Sequence, residues 1–362
     1  MIRYHHTPPP LGVAPPRQIG LPRVPGTALT RATALPLQRD VGNRKVTTAV
    51  LQRAAQDSAR PVPDPTVDQD SAEGYFAAQD AIRAFQQQLW TVRNYQLPTG
   101  WGNFDLTYCP VSQQVRVDIR YAVTFADPAD PSVWADHLKA AARAEIERSI
   151  QQVWGRVVGT FWCQQPWWEH LRAELKVRIV EDDATPHCRI TVYQDGRNSE
   201  AYAVSQRNRA NETEIHISVG DLADRQFRID PQTRTAKDVT SELGFPPRIP
   251  EGADPEDYLT CPVVAHEFGH AGPGLPDVYR GREDDGWMRA WHNQASFDDF
   301  QQLVQQEMGR KPERRNDRRV MSHGNVATLD DLLPFLLALQ EATGLDWGER
   351  KQPAREAPVC LP

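Results

Sequence analysis

No stretch of this 362-residue chain is apolar for the roughly 18 residues that a bilayer-spanning helix requires. Met1–Pro10 reads MIRYHHTPPP and runs into no apolar segment of the kind a secretory leader carries. We therefore expect neither a membrane span nor a signal peptide. Cysteine is sparse: Cys109, Cys163, Cys188, Cys261 and Cys360 are scattered, odd in number and form no CxxC pair. That argues against a disulfide framework and fits synthesis in a reducing compartment. Methionine is scarcer still, with four in the chain, so the placement of one can carry information.

Basic charge is scarce beyond the N-terminal arm. Residues 1–60 hold nine Lys and Arg against Asp40 and Asp57, whereas the remainder holds 32 basic and 46 acidic residues. Eleven of the 30 prolines fall within residues 1–65. A basic, proline-rich arm on an acidic body reads as an appended address or docking segment. Its Arg residues are scattered, with few aromatics and no nucleic-acid-binding motif, so no nucleic-acid partner is expected. The body has the means for a core, with 40% hydrophobic residues overall and ten Trp.

Residues 1–38 lack any periodic apolar face and read as disordered. A short helix is possible over 43–56, and 57–70 is a linker by composition. Ser71–Trp90 reads as a helix, with Tyr75, Phe76, Ala78, Ile82, Phe85 and Leu89 at helical spacing. Val115, Val117, Ile119 and Tyr121 alternate as in a half-buried strand. Ser132–Trp154 follows as a long helix carrying Trp134, Leu138, Ala141, Ile146, Ile150 and Val153. Strands are expected at Leu175–Val180, Cys188–Tyr193 and Glu212–Val219. Further helices are expected near Ser296–Glu307 and over Leu329–Thr343.

Between those strands and helices lies Val263–His270, reading VVAHEFGH. His266 and His270 stand one turn apart on the same helix face. Both imidazoles can reach one ion, at about 2.0–2.1 Å for zinc. Glu267 points around the helix yet stays close enough to hold a water on the metal, the task of a general base in a metallopeptidase. Zinc brings the pKa of its water towards about 7. Glu267 then takes up a weakly held proton and can hand it to the leaving amine. The bland alternative is an exposed helix with two surface His. Val263, Val264, Ala265 and Phe268 argue against it, because they make the helix apolar. Gly269 costs about 1 kcal/mol in a helix interior, which suggests something approaching the backbone closely. Pro262 fits the first turn of this helix, after a short turn at 254–259.

A catalytic zinc usually has three protein ligands and one open position. Gly272-Pro273-Gly274 must end the helix and turn the chain sharply. That turn can return the Asp277 carboxylate to the metal. Glu283, Asp284, Asp285, His292 and Glu307 are alternatives, the acidic run reading more simply as a solvated loop.

HEFGHAGPGLPDVY resembles the extended motif of metzincin-type zinc metallopeptidases. It is most similar to the snapalysin-like variant, in which an Asp replaces the third His. Gly274-Leu275-Pro276-Asp277-Val278-Tyr279 matches that pattern, with one extra residue between His270 and the Gly. The resemblance implies that His266, His270 and Asp277 bind Zn2+, with Glu267 catalytic. It further implies that Val320–Gly324 is a Met-turn with Met321 beneath the metal. His323 stands where some metzincins carry a Tyr that stabilises the transition state. Its imidazole is either such an oxyanion donor or a plain polar residue. In the arm, LQRDVGNRKVTTAVLQ is similar to a segment of bacterial proteins linked to extracellular contractile injection systems. That implies a toxin or effector made in the bacterial cytoplasm, loaded onto a particle through the arm and exported or injected.

The expected fold is α+β, a zincin-like catalytic domain at 111–346 with a mixed-sheet upper half, an active-site helix and a helical lower half. A disordered arm and linker (1–70) and a helix with its connection (71–110) precede it, and a loose tail (347–362) follows. The expected activity is zinc-dependent endopeptidase, acting as a monomer on a protein or peptide. The alternatives are a non-catalytic component of an injection particle with a degenerate zincin fold, and a zinc amidase acting on something other than protein.

Overall fold

A computed structural model describes residues 72–97, 100–126, 134–165, 168–194, 201–204, 208, 210–230, 232, 236–243, 248–277, 302–307, 319–321 and 324–349. The chain divides into two units, Met1–Thr48 and Ala49–Pro362, and every described residue belongs to the second. The arm, its linker and the helix considered at 43–56 lie outside the described residues.

Helix α1, Ala72–Gln86, buries Ala78, Ile82 and Phe85, one face at spacings of four and three. Tyr75 and Phe76, expected on that face, are exposed. The helix also stops short of the expected Trp90. Phe85 stacks on Trp90 with ring centroids 4.7 Å apart, so Trp90 opens strand β1 and Leu89 is left exposed between the two elements. Strands β1, Trp90–Tyr95, and β2, Phe104–Cys109, form an antiparallel hairpin where only a connection was expected. Phe104, Leu106 and Tyr108 are fully buried, but three alternating residues next to a glycine loop make a weak periodic signal.

Strand β3, Gln114–Ala126, is the axis of the fold. Its Val115, Val117, Ile119 and Tyr121 all face the core. Strand β5, Arg172–Glu181, runs parallel along one edge of β3. The other edge is shared: β2 pairs antiparallel with Gln114–Asp118, and β6, Cys188–Tyr193, pairs parallel with Tyr121–Ala126. Beyond β6 come β8, Thr213–Ser218, in parallel, and β7, Tyr202–Val204, antiparallel at the end of the sheet. On the other side β4, Thr160–Cys163, pairs antiparallel with β5, and β12, Trp347–Gly348, closes the edge. A small second sheet joins β9, Arg225–Ile229, to β10, Ala236–Asp238, and β11, Tyr258–Cys261.

Helix α2, Asp136–Val153, connects β3 to β4 and buries Ala142, Ile146, Ile150 and Val153. Leu138 and Ala141, expected on this face, point to solvent. Trp134 precedes the helix and packs against Phe125, ring centroids 4.8 Å apart. After the short helix α3, Thr240–Leu243, comes α4, Val263–Ala271, the motif helix. A helical segment at 302–307 buries Val304, and the rest of the helix expected from Ser296 lies outside the described residues. Helix α5, Leu333–Thr343, follows a 3-10 turn at Leu329–Leu332 and packs Phe335 edge-on against Phe104 of β2, ring centroids 5.2 Å apart. The coarse architecture is thus α+β with a mixed sheet. Among the described residues no helix is long and apolar enough to cross a membrane.

Two polar braces hold this region, one joining the loops that lead into β2, β6 and β8 and the other tying β8 to α4. Asn103, fully buried where β2 gives way to β6, donates from Nδ2 to the carbonyls of His187 and Asn211 at 2.8 and 2.7 Å. Thr213 Oγ1 donates to Ala271 O at 3.0 Å, at the last residue of α4.

Trp347 and Gly348, expected in a loose tail, are part of the fold, and residues 350–362 lie outside the described residues. Trp347 is 1% exposed, its Nε1 donates to Thr343 Oγ1 at 2.8 Å, and its ring meets Tyr108 edge-on. A two-residue strand has no periodicity to betray it. Trp347→Ala is expected to cost about 3–5 kcal/mol, the range for truncating a buried aromatic. Urea unfolding checks this, and an unchanged midpoint would restore the loose-tail reading.

Candidate metal centre

Helix α4 is only nine residues long, and all nine are buried. It starts at Val263, with Pro262 directly before it rather than inside its first turn, and His266 N donates to Pro262 O at 3.0 Å. Its far end is closed by three bonds. Gly272 N donates to Phe268 O at 2.8 Å, and Gly274 N and Leu275 N both donate to Gly269 O at 3.1 and 3.0 Å. Gly274 has φ +85°, and a Cβ there would lie 2.7 Å from Gly102 N. Gly102, at φ +83°, would in turn put a Cβ 2.8 Å from Pro273 O, and Asn103 N donates to Gly272 O at 2.8 Å. Two backbones therefore touch where neither glycine could carry a side chain. The clasp turns the chain back along α4.

That return brings Asp277 to the two motif imidazoles. Asp277 Oδ1 lies 3.1 Å from His266 Nε2 and 3.3 Å from His270 Nε2. The rings stand nearly perpendicular, 87° apart, with centroids separated by 5.0 Å. His266 Nδ1 lies 2.6 Å from Val320 O, and His270 Nδ1 lies 2.6 Å from Leu275 O. A carbonyl can only accept, so each Nδ1 carries a hydrogen. In the neutral ring Nε2 is then the atom with the free lone pair.

One atom from each of these three side chains lies within 4.8 Å of the other two. Two ligands about 2.0–2.1 Å from one tetrahedral ion are about 3.3 Å apart. The two Asp277 separations fit that figure. Two imidazole nitrogens and one carboxylate oxygen also suit zinc. Backbone carbonyls behind both His supply the outer hydrogen bonds that such ligands usually have.

Glu267 is 8% exposed, and burial is the main cause raising its pKa above the usual carboxylate value. The two imidazoles oppose that rise, while Asp277 and Asp221 add to it. Such a carboxyl exchanges protons nearer neutral pH than an exposed one, as suits a general base. Beneath the helix, Trp154 Nε1 donates to Ala265 O at 2.7 Å, and the fully buried Met321 lies against Gly269. A Cβ at Gly269 would overlap Met321 Sδ and come 2.8 Å from Trp154 Cζ2. This is the close approach that a mid-helix Gly implied.

His266, His270 and Asp277 thus meet, Glu267 interacts with all three electrostatically, and Met321 lies against Gly269. His323 lies outside the described residues, as do Glu283, Asp284, Asp285 and His292. Glu307 is described and is not part of the cluster. The reading of residues overlooked the two orienting carbonyls, Val320 O and Leu275 O. Main-chain acceptors leave no mark in a sequence. It also overlooked Trp154 as a buttress and Gly102 as the other half of the clasp.

Gly269→Ala separates two effects. Helix propensity alone would stabilise by about 1 kcal/mol. Overpacking against Met321 and Trp154 costs about 1–3 kcal/mol. We expect net destabilisation and a lower thermal midpoint, and a raised midpoint would mean that Met321 yields freely.

His270 supplies a pH test. Burial works against its imidazolium, but the Asp277 carboxylate prevails and lifts the pKa from 6.5 to about 9. In the metal-free chain this proton's stabilising contribution is complete below about 6.5 and fades as the pH climbs to about 9. A metal must displace the same proton, so apparent metal affinity should tighten over that window. Chelator competition across the range checks this, and a flat profile would contradict it.

No protein-family model matches this chain, and neither the curated proteins nor the solved structures yield a significant match.

Proposed function

We propose that this chain is a zinc-dependent endopeptidase with a zincin-like, metzincin-type catalytic domain. The observation that carries the reading is the return of Asp277 to the Nε2 atoms of His266 and His270, at 3.1 and 3.3 Å. A helix with two incidental His would not need a glycine clasp that brings a carboxylate back to both. Nor would it need a separate carbonyl behind each ring.

His266, His270 and Asp277 would hold the zinc. When bound, zinc acts as a Lewis acid, polarising the scissile carbonyl and acidifying a water. The remaining work falls to the chain. Glu267, next to the ligands and buried, accepts the proton from the attacking water. It then donates that proton to the nitrogen of the departing amine, ending as the carboxylate it began as. Its raised pKa narrows the gap between those two states.

Strand β7 ends the large sheet beside α4. An extended peptide could pair with this terminal strand and lay its backbone across the cluster. The side chains of β7 alternate. Ala203 is partly buried against the core, and Tyr202 is half-exposed, stacked on His216 with ring centroids 4.7 Å apart. The arm's likeness to proteins linked to contractile injection systems supports an exported or injected effector as the wider setting.

Glu267→Gln is the decisive variant. It should keep one zinc per chain while chelator-sensitive cleavage of unfolded casein falls by about 10²–10⁴-fold. Full activity in this variant would sink the mechanism, and zinc-loaded wild type that cleaves nothing would sink the peptidase reading.

A further inference from the structure

Arg319 is 1% exposed. One guanidinium nitrogen, NH1, lies 3.4 Å from Asp330 Oδ2, and the other, NH2, ion-pairs with Asp331 Oδ1. Its Nε has no partner among the described residues. Both carboxylates are buried too, at 3% and 0% exposure. Three charges out of water cost much of what their attraction returns, and apolar residues of the same shape often do as well or better. Stability alone is therefore a poor reason for this group.

Its connections suggest another. Arg319 is followed by Val320, whose carbonyl receives His266 Nδ1–H at 2.6 Å, and then by Met321 beneath Gly269. Val320 N donates to Val326 O at 2.9 Å, and Gly324 N donates to Arg319 O at 3.0 Å, so the segment folds on itself. Nothing in those two bonds ties it to the rest of the core. The guanidinium does. The second oxygen of Asp331 accepts from Thr328 N and Thr328 Oγ1 at 2.6 and 3.0 Å, the cap that starts the turn into α5. Helix α5 in turn packs on the β1–β2 hairpin.

We propose that Arg319 is a positioning residue for the ligand His266: it locks Val320 to the head of α5 so that the Val320 carbonyl holds the imidazole with Nε2 towards Asp277. This rests on the zinc reading above. The two-pronged guanidinium suits the task because it meets two carboxylates from fixed directions, which an ammonium cannot do.

The test measures zinc affinity by competition with a fluorescent chelator, using the full-length chain and no peptide substrate. Arg319→Lys keeps the charge but loses the fork. Arg319→Met keeps the bulk and loses the charge. We expect zinc to bind about 10–100-fold more weakly in both, the range for removing an outer-shell partner. On a His266→Ala background neither change should weaken zinc further, since the route through His266 is gone. Circular dichroism verifies folding, and if the Met variant fails to fold the Lys variant decides. Wild-type affinity in the folded Lys variant would overturn the proposal, as would an equal loss on both backgrounds, which would mean a merely structural role. A wild-type chain that holds zinc but cleaves nothing removes only the peptidase reading. A wild-type chain that binds no zinc overturns both.

Discussion

Each imidazole of α4 gives its Nδ1 hydrogen to a main-chain carbonyl, and the geometry of the cluster follows from those two bonds. They set the tautomer, the ring rotation and the direction of both Nε2 atoms. The two carbonyls come from very different distances along the chain. Leu275 is five residues beyond His270, so its carbonyl is placed by the local glycine turn. Val320 is 54 residues beyond His266 and is placed only when the tertiary fold is complete. Half of the cluster is thus a property of one turn, and the other half a property of the whole domain.

The electrostatics add a second constraint. Two carboxyls and two imidazoles are confined in a region with little access to water. Glu267 responds by holding a proton more readily, and His270 by keeping its own to about pH 9. For His270 burial is the larger single influence and points the other way, yet Asp277 overcomes it in combination with the hydrogen bonds and Glu267. A divalent cation would replace the proton as the charge that reconciles Asp277 with its surroundings.

Legibility in the sequence followed element length and burial pattern. In β3 the alternation marks Val115, Val117, Ile119 and Tyr121, but the strand runs on through the buried Ala122 and Val123, while β6 and β8, six residues each, are long enough to read as strands. Strands β7, β10 and β12 are two or three residues long and have no measurable period. Helix α1 was legible as a helix, but its face was not. Tyr75 and Phe76 satisfy helical spacing as well as Ala78 does, and only packing decides which of them is covered. In the cluster, His266, Glu267 and His270 follow from one-turn spacing. Asp277 needed the extended motif, because a turn with an extra residue can send a carboxylate several ways. Gly102 lies in the β1–β2 loop and Gly274 in the turn after α4, far apart in sequence, and the tightness of their contact emerges only in three dimensions.

Helix α4 shows why chemistry and stability are read from different residues. Nine residues are too few for an isolated helix in water, where nucleation makes segments under about 12–15 residues marginal. Its own sequence adds a Gly and lacks a side-chain N-cap. The missing stability has to come from outside: Trp154 against Ala265 O and Gly269, Tyr121 edge-on to Phe268 at 6.4 Å, and Thr213 on the terminal carbonyl. These contacts reach α4 from α2 and its following turn, from β3 and from β8. A helix so dependent on its surroundings cannot shift without disturbing several elements at once. If the cluster holds a metal as proposed, its donor atoms would have to stay within a few tenths of an ångström of one geometry, and that dependence supplies the rigidity that the short helix lacks.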